Sequence, residues 1–340
     1  MRSHLRLDSH TVKTQVCSNL IEEDLYFEHR HWGKIFVRNK RPVNVDSFAS
    51  NKIVVLQHGA TYGSAAFYIM AGGTSLMDYL AARGFDTYCL DLPGYGFSER
   101  PPQMSKPAEA NQPFMRTPEA AEFLGFVCEN IRNRRGVEKL CLIGHSWGTA
   151  IAAFYINSNR NSVERLVLFA PVWHRTGGEK SPVRMDGPLG AYRTVSRAAT
   201  LARRQEGLSE EQKHSIMPTE WFDLWWETVA ASDPDLGGEA IRAPNGVVAD
   251  AHEYWENHKP LYDPTRIQVP SLITVGELDR DTPPYMAQTL FPLLTKAPWK
   301  RLSILSGGTH TILMESHRML LFRTVQQFLD EPEPGMEKLE

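Results

Sequence analysis

The chain lacks any apolar run approaching the roughly 18 residues that a membrane-crossing helix requires, so no membrane span is expected. Cysteine is scarce: Cys17, Cys89, Cys128 and Cys141 are the four in 340 residues. Their spacing fits neither a metal site nor a compact disulfide framework. Cys89 and Cys141 lie inside apolar strand-like runs, where a thiol behaves as a small buried hydrophobe. Charge of one sign is also missing. The net charge of −3 gives no reason to expect a nucleic-acid or anionic-membrane partner. Met1 to Val16 is polar and carries His, Arg and Lys, without the apolar stretch of a secretory signal. These absences predict a cytoplasmic protein in a reducing setting. What is present is ordinary for a folded chain: 42% apolar and 23% charged residues, enough to build a sizeable core. The length suits one large α/β domain with an insertion, or two domains.

Short β-rich runs alternate with helical stretches, which predicts a mostly parallel sheet covered by helices on both faces. Ile53–Leu56, Thr87–Leu90, Leu140–Ile143, Leu166–Phe169, Leu272–Val275 and Leu302–Leu305 read as buried strands. Each ends near glycine or proline, as expected of loops leaving the carboxyl edge of a sheet. Thr117-Pro118-Glu119 reads as a helix start with Thr117 as N-cap. Residues 317–329 read as the last helix, and residues about 11–38 as edge strands. The alternation breaks over 172–262, a stretch with five tryptophans, many charges and no obvious buried strand. It predicts a mostly helical lid dividing the core into 1–171 and 263–330, with a frayed acidic tail over 331–340.

Gly144-His145-Ser146-Trp147-Gly148 fits G-x-S-x-G between an apolar strand and a helix start rich in small residues. A serine on such a turn presents its hydroxyl above the sheet, and the helix N-terminus adds a positive field. The flanking glycines are expected because a Cβ at either would strike the neighbouring strand or helix. Ser146 is therefore the candidate nucleophile. Two amides must face the developing oxyanion. Trp147 N–H is one candidate, and the loop Gln57-His58-Gly59-Ala60-Thr61 supplies the other, with Ala60 preferred and Thr61 in reserve. His58 and His145 are expected to be structural.

The base should lie on a mobile loop at the same sheet edge. His310, after Ser306-Gly307-Gly308-Thr309, meets that condition, and His317 is its nearest rival. The acid should come from Glu277-Leu278-Asp279-Arg280-Asp281; Asp279 is preferred, with Asp281 assigned to capping the next helix. The order Ser, Asp, His is the one used by this kind of sheet. The aromatics Tyr62, Phe67, Trp147, Trp173, Tyr192, Trp225 and Trp226 are candidates to line an apolar pocket.

On His58-Gly59, Asp91-Leu92-Pro93-Gly94-Tyr95-Gly96-Phe97-Ser98, the elbow at Ser146, the Asp279 turn and Gly308-Thr309-His310, the chain resembles the α/β-hydrolase superfamily over roughly residues 35–330. The resemblance implies an eight-stranded sheet, a helical cap inserted after the sixth strand, and no metal or organic cofactor. Ser146 stands where epoxide hydrolases and haloalkane dehalogenases carry Asp. The elbow is similar to that of prolyl iminopeptidases, whereas the short His-Gly-Ala-Thr loop departs from their longer Gly-Pro-rich one. The expected activity is hydrolysis of a small to medium hydrophobic carboxylic ester. The alternatives are an amide or N-terminal peptide, with Glu220, Asp223 or Glu227 receiving an amine, carbon–carbon bond hydrolysis of a dienoic ketone, or a non-catalytic binding module. The expected partner is a small-molecule substrate, and the expected state a monomer or homodimer.

Overall fold

The computed structural model describes residues 9–17, 19–69, 73–176, 180–183 and 188–334; the expected frayed tail lies outside these from residue 335 onward. At its described start the tail is anchored, since Glu331 accepts a hydrogen bond from Arg301 at 2.9 Å.

Strands β1 (Ser9–Cys17), β2 (Leu20–His29) and β3 (Gly33–Pro42) form an antiparallel meander. The strands that follow are β4 (Ile53–Gln57), β5 (Asp86–Leu90), β6 (Leu140–His145) and β7 (Val163–Phe169). After an insertion with its own pair, β8 (Tyr192–Ser196) and β9 (Ala240–Pro244), come β10 (Ser271–Gly276) and β11 (Lys300–Leu305). The main sheet runs β1-β2-β3-β5-β4-β6-β7-β10-β11, parallel from β5 to β11. It contains the expected eight strands plus β1, which pairs along the free edge of β2 and removes that edge from water.

The helices are α1 (Ala65–Tyr68), α2 (Leu76–Ala81), α3 (Thr117–Arg135), α4 (Trp147–Asn159), α5 (Arg197–Arg204), α6 (Glu210–Ile216), α7 (Thr219–Ala231), α8 (Gly246–Glu253), α9 (Pro284–Leu290) and α10 (Arg318–Asp330). β4, β5 and β10 are buried at every residue, as strands covered on both faces must be. Ile53 and Val55 point into a core shared with α3, α4 and α9. Val54 and Leu56, on the opposite face, pack with α2 and α10. The period of two along β4 thus feeds two separate hydrophobic layers.

Two local expectations shift. Arg116, not Thr117, is the N-cap of α3. The Thr117 amide and hydroxyl both donate to Asp250 of α8, at 2.7 and 2.6 Å, so this threonine ties the core to the insertion. Within 172–262 the structure adds the β8–β9 ladder, where no strand was expected. β8 has a single buried residue, Arg193, among half-buried and exposed ones, so it lacks the continuous apolar signal of the core strands.

The order β5-β4-β6 reverses the direction of chain progression beside β4. Crevices open at such switch points, outside the carboxyl ends of the strands. Here those ends are Gln57 and His145.

Candidate active site

β6 runs directly into α4 through Ser146, whose φ of 55° and ψ of −123° lie in a region a side chain seldom occupies. The turn survives because Gly144 and Gly148, two positions either side of Ser146, have no side chains. A Cβ on Gly144 would sit 2.4 Å from the Gly148 carbonyl oxygen, and one on Gly148 would sit 2.4 Å from that of Gln57. These contacts bear directly on the glycine spacing: the elbow is wedged against β4 and its own helix.

The structure brings Ser146, His310 and Asp279 into one hydrogen-bonded row. Ser146 Oγ donates to His310 Nε2 at 2.9 Å. His310 Nδ1–H faces both Asp279 oxygens, at 3.0 and 2.9 Å. Asp279 is fixed in turn by the Thr282 amide at 2.8 Å and hydroxyl at 2.9 Å. His145 Nε2–H donates to the His310 carbonyl at 3.1 Å, and its ring stacks on Phe169, so it braces the base loop. Burial and the nearby His310 charge push the His145 pKa down to about 3, leaving it a neutral strut. His317 sits at the N-cap of α10 and takes no part in the row. Glu277 accepts from Ser306 Oγ and the Gly307 amide, steadying the same loop from outside.

Asp281 is not the cap expected from the sequence; Pro283 occupies the N-cap of α9. Its carboxylate instead accepts from Arg203 Nη2 at 2.6 Å and approaches His310 Nε2 at 3.8 Å. Burial alone would lower the His310 pKa, but the Asp279 and Asp281 charges outweigh it and hold the value above the ordinary 6.5.

The oxyanion side is set by a histidine. Leu92 N–H donates to His58 Nε2 at 3.1 Å, so the ring proton is on Nδ1, which donates to the Gly59 carbonyl at 2.6 Å. That carbonyl belongs to the same peptide plane as Ala60 N–H, and in a trans peptide the two point oppositely. Ala60 lines the cavity beside Ser146. Among the described residues, neither the Ala60 nor the Trp147 amide donates a hydrogen bond, so both remain available. A Cβ on Gly59 would lie 2.8 Å from that of Ser146, which shows how closely the loop approaches. Thr61, the reserve candidate, takes φ 83° and accepts from Arg193 through its hydroxyl at 2.6 Å.

A cavity of about 890 Å³, its open mouth included, lies over the row. Tyr62 and Trp225 line it, whereas the other five aromatic candidates do not. Phe67 packs under His145 in the core. Trp173 stacks on His174 and packs against Tyr262. Tyr192 donates to the Lys106 carbonyl at 2.9 Å, and Trp226 donates to the Gly238 carbonyl at 2.8 Å. In each case a structural partner already claims the ring or its polar atom. Trp147 contributes its amide; its buried indole donates to Thr117 Oγ1 at 2.8 Å. Glu220 and Glu227 face solvent, and Asp223 pairs with Arg197, so none of these carboxylates lies in the cavity.

Sequence reasoning missed Thr200, Arg203 and Arg204, which line the cavity from α5. The adjacent Arg203-Arg204 pair was the available signal, hidden among the insertion's many charges. Among the described residues, no three His, Cys, Asp or Glu side chains are grouped to hold a metal ion, and no helix is long and apolar enough to cross a membrane.

Solved structures share this architecture at low identity. A monoacylglycerol lipase from Paleococcus ferrophilus is 21% identical, with a TM-score of 0.55, over 87% of this chain and 98% of its own. The thioesterase domain of the curacin biosynthetic pathway is 17% identical, with a TM-score of 0.56, over 88% and 99%. A 2-hydroxy-6-oxo-6-phenylhexa-2,4-dienoate hydrolase from Rhodococcus sp. strain RHA1 is 18% identical, with a TM-score of 0.51, over 96% and 100%. Comparison with curated proteins gives no match. The model of the alpha/beta hydrolase fold family matches residues 52–316, and the chain belongs to that family.

Proposed function

We propose that this chain is a serine hydrolase that cleaves a carboxylic ester through an acyl-enzyme on Ser146. The hydrogen-bonded row Ser146–His310–Asp279 beneath an open cavity is the observation that carries this reading. As Ser146 Oγ attacks the carbonyl carbon, its proton passes to His310 Nε2. Asp279 holds the ring with Nδ1 protonated and stabilises the imidazolium that forms. The carbonyl oxygen, now anionic, is received by the amides of Ala60 and Trp147, each worth about 3 to 4 kcal/mol of barrier. The tetrahedral species collapses, and His310 returns its proton to the departing alcohol. Water then repeats the sequence on the acyl-enzyme and frees the acid.

Glu220, Asp223 and Glu227 lie outside the cavity, and the two carboxylates that do line it, Glu206 and Asp281, face Arg280 and Arg203, which weighs against an amine-recognising peptidase. A fluorophosphonate probe and a series of p-nitrophenyl esters test the proposal. Wild-type protein is expected to be labelled and to turn over esters in preference to amino-acid p-nitroanilides, and Ser146→Ala is expected to lose both labelling and turnover. Labelling that persists in Ser146→Ala, or a strong preference for the anilides, would overturn it.

A further inference from the structure

We propose that the cavity over Ser146 accepts substrates bearing a carboxylate, held by the open edge of the Arg204 guanidinium; this rests on the ester-hydrolase reading and names its substrate class. The other charges around the cavity are already committed. Arg203 is bound to Asp281 at 2.6 Å. Arg280 reaches outward, 63% exposed, toward Glu206 at 3.9 Å. Glu315 accepts from the Thr309 amide and from the hydroxyls of Thr309 and Thr311.

Arg204 has no such partner. Among the described residues, no carboxylate lies within ion-pair distance of it. Its Nη1 meets only Met217 Sδ at 3.8 Å, and its Nε is buried with no acceptor. The guanidinium plane is held instead by aromatic faces, 3.7 Å above the Trp225 ring and 5.7 Å from Tyr62 and Phe222. Stacking occupies the face of the plane and leaves its N–H edge free, and that edge matches a carboxylate in two parallel hydrogen bonds. Burial pulls the Arg204 pKa down to about 10, opposed by Tyr62 and Glu315, so the group stays cationic at neutral pH.

One uncommitted positive charge suits one negative charge. The lining shared by Arg204 and Ser146 also includes Tyr62, Trp225, Leu278, Leu313 and Met314, which suits a hydrocarbon spacer. The fitting substrate is therefore an ester with an apolar linker and a remote carboxylate. The carboxylate belongs to the acyl part, as in a dicarboxylic hemiester, or to the alcohol part, as in an acylated hydroxy acid.

The test compares mono-p-nitrophenyl esters of succinic, glutaric, adipic and suberic acids with their neutral methyl diesters, alongside acetate esters of ω-hydroxy acids and of the corresponding methyl esters. One arm is expected to show kcat/KM about tenfold higher for the charged member, carried mainly by KM, as one charge-assisted pair predicts. In Arg204→Gln the charged-to-neutral ratio is expected to fall close to one, and in Arg204→Lys to an intermediate value. Equal or better turnover of the neutral members throughout by wild-type protein overturns the proposal whatever the variants do. So does a preference that survives Arg204→Gln. If no ester in the set is turned over, Ser146→Ala is titrated calorimetrically with glutarate, adipate and suberate. Binding that disappears on adding Arg204→Gln supports the anion site, and absence of binding overturns it. Loss of all labelling and turnover, with such binding retained, defeats the ester reading alone.

Discussion

Across the cavity two regions face each other with different construction. Beneath it, Gly59, Gly144 and Gly148 let β4, β6 and α4 approach until a single added Cβ would collide with backbone or with the Ser146 Cβ, and Ser146 is held in its unusual conformation by that crowding. Above it, the insertion between β7 and β10 presents long side chains: Arg203 on Asp281, Arg204 on Trp225, Arg193 on Thr61 and the Pro244 carbonyl. The lower region places atoms by removing alternatives. The upper one places them by pairing flexible groups, each of which could be paired otherwise. Chemistry that must be positioned within a fraction of an ångström is built on the first kind of surface, and recognition, which varies between relatives of one fold, on the second.

Substitutions sharpen this contrast. The largest effect is expected below the cavity, at the carboxylate behind the base. Asp279→Asn keeps the shape but favours the wrong ring tautomer on His310, and kcat on a p-nitrophenyl ester is expected to fall about 10⁴-fold, near 5.5 kcal/mol. A fall of less than tenfold would mean that Asp281 serves the ring instead. In the insertion, Trp226→Ala should act on stability alone. Its ring is 3% exposed and packs on Phe222 and Trp225, so about 3 to 5 kcal/mol of unfolding free energy is expected to go, with ester KM unchanged. A raised KM at full occupancy of the folded state would place Trp226 in substrate binding after all. Gly148→Ala pushes a methyl toward the Gln57 and His58 carbonyls at 2.4 and 2.6 Å, and a loss of about 3 kcal/mol in urea unfolding is expected.

The smallest effect joins the two regions. His310 must be neutral to accept the Ser146 proton, so the rate falls as pH drops through its raised pKa. Asp281→Asn removes one of the anions that raise it and leaves the Arg203 cation beside the ring. The acid limb of kcat/KM is then expected to move to lower pH, by about one unit or less, equivalent to roughly 1.4 kcal/mol. A shift to higher pH would contradict this arrangement. The linked stability runs the other way: protonated His310 stabilises the fold below the ordinary 6.5, and that contribution is lost as pH rises through the raised value.

Much of the core could be read directly from the chain. All six strand readings lie within β4, β5, β6, β7, β10 and β11, because short apolar runs bounded by Gly or Pro have few other places to go, although β11, expected to be buried, lies at the sheet edge with Ile304 exposed. Misreadings cluster where one side chain has several possible partners. Thr117 looked like an N-cap but bonds Asp250 from another element, and Asp281 looked like one but bonds Arg203. Trp173, Tyr192 and Trp226 looked like pocket lining because an aromatic ring in a lid satisfies packing and ligand contact equally well.

By itself the sequence determined which residues sit at strand ends, since local periodicity and glycine spacing act over a few residues and tolerate no substitute. It therefore placed Ser146, Asp279 and His310 on loops along one edge of the sheet. Only the tertiary structure decided their distances, the choice of Asp281 as a second charge beside the base, and the isolation of Arg204 among aromatic rings. Those outcomes depend on contacts between segments tens to hundreds of residues apart, where pairing energies of similar size compete and only the assembled chain selects among them.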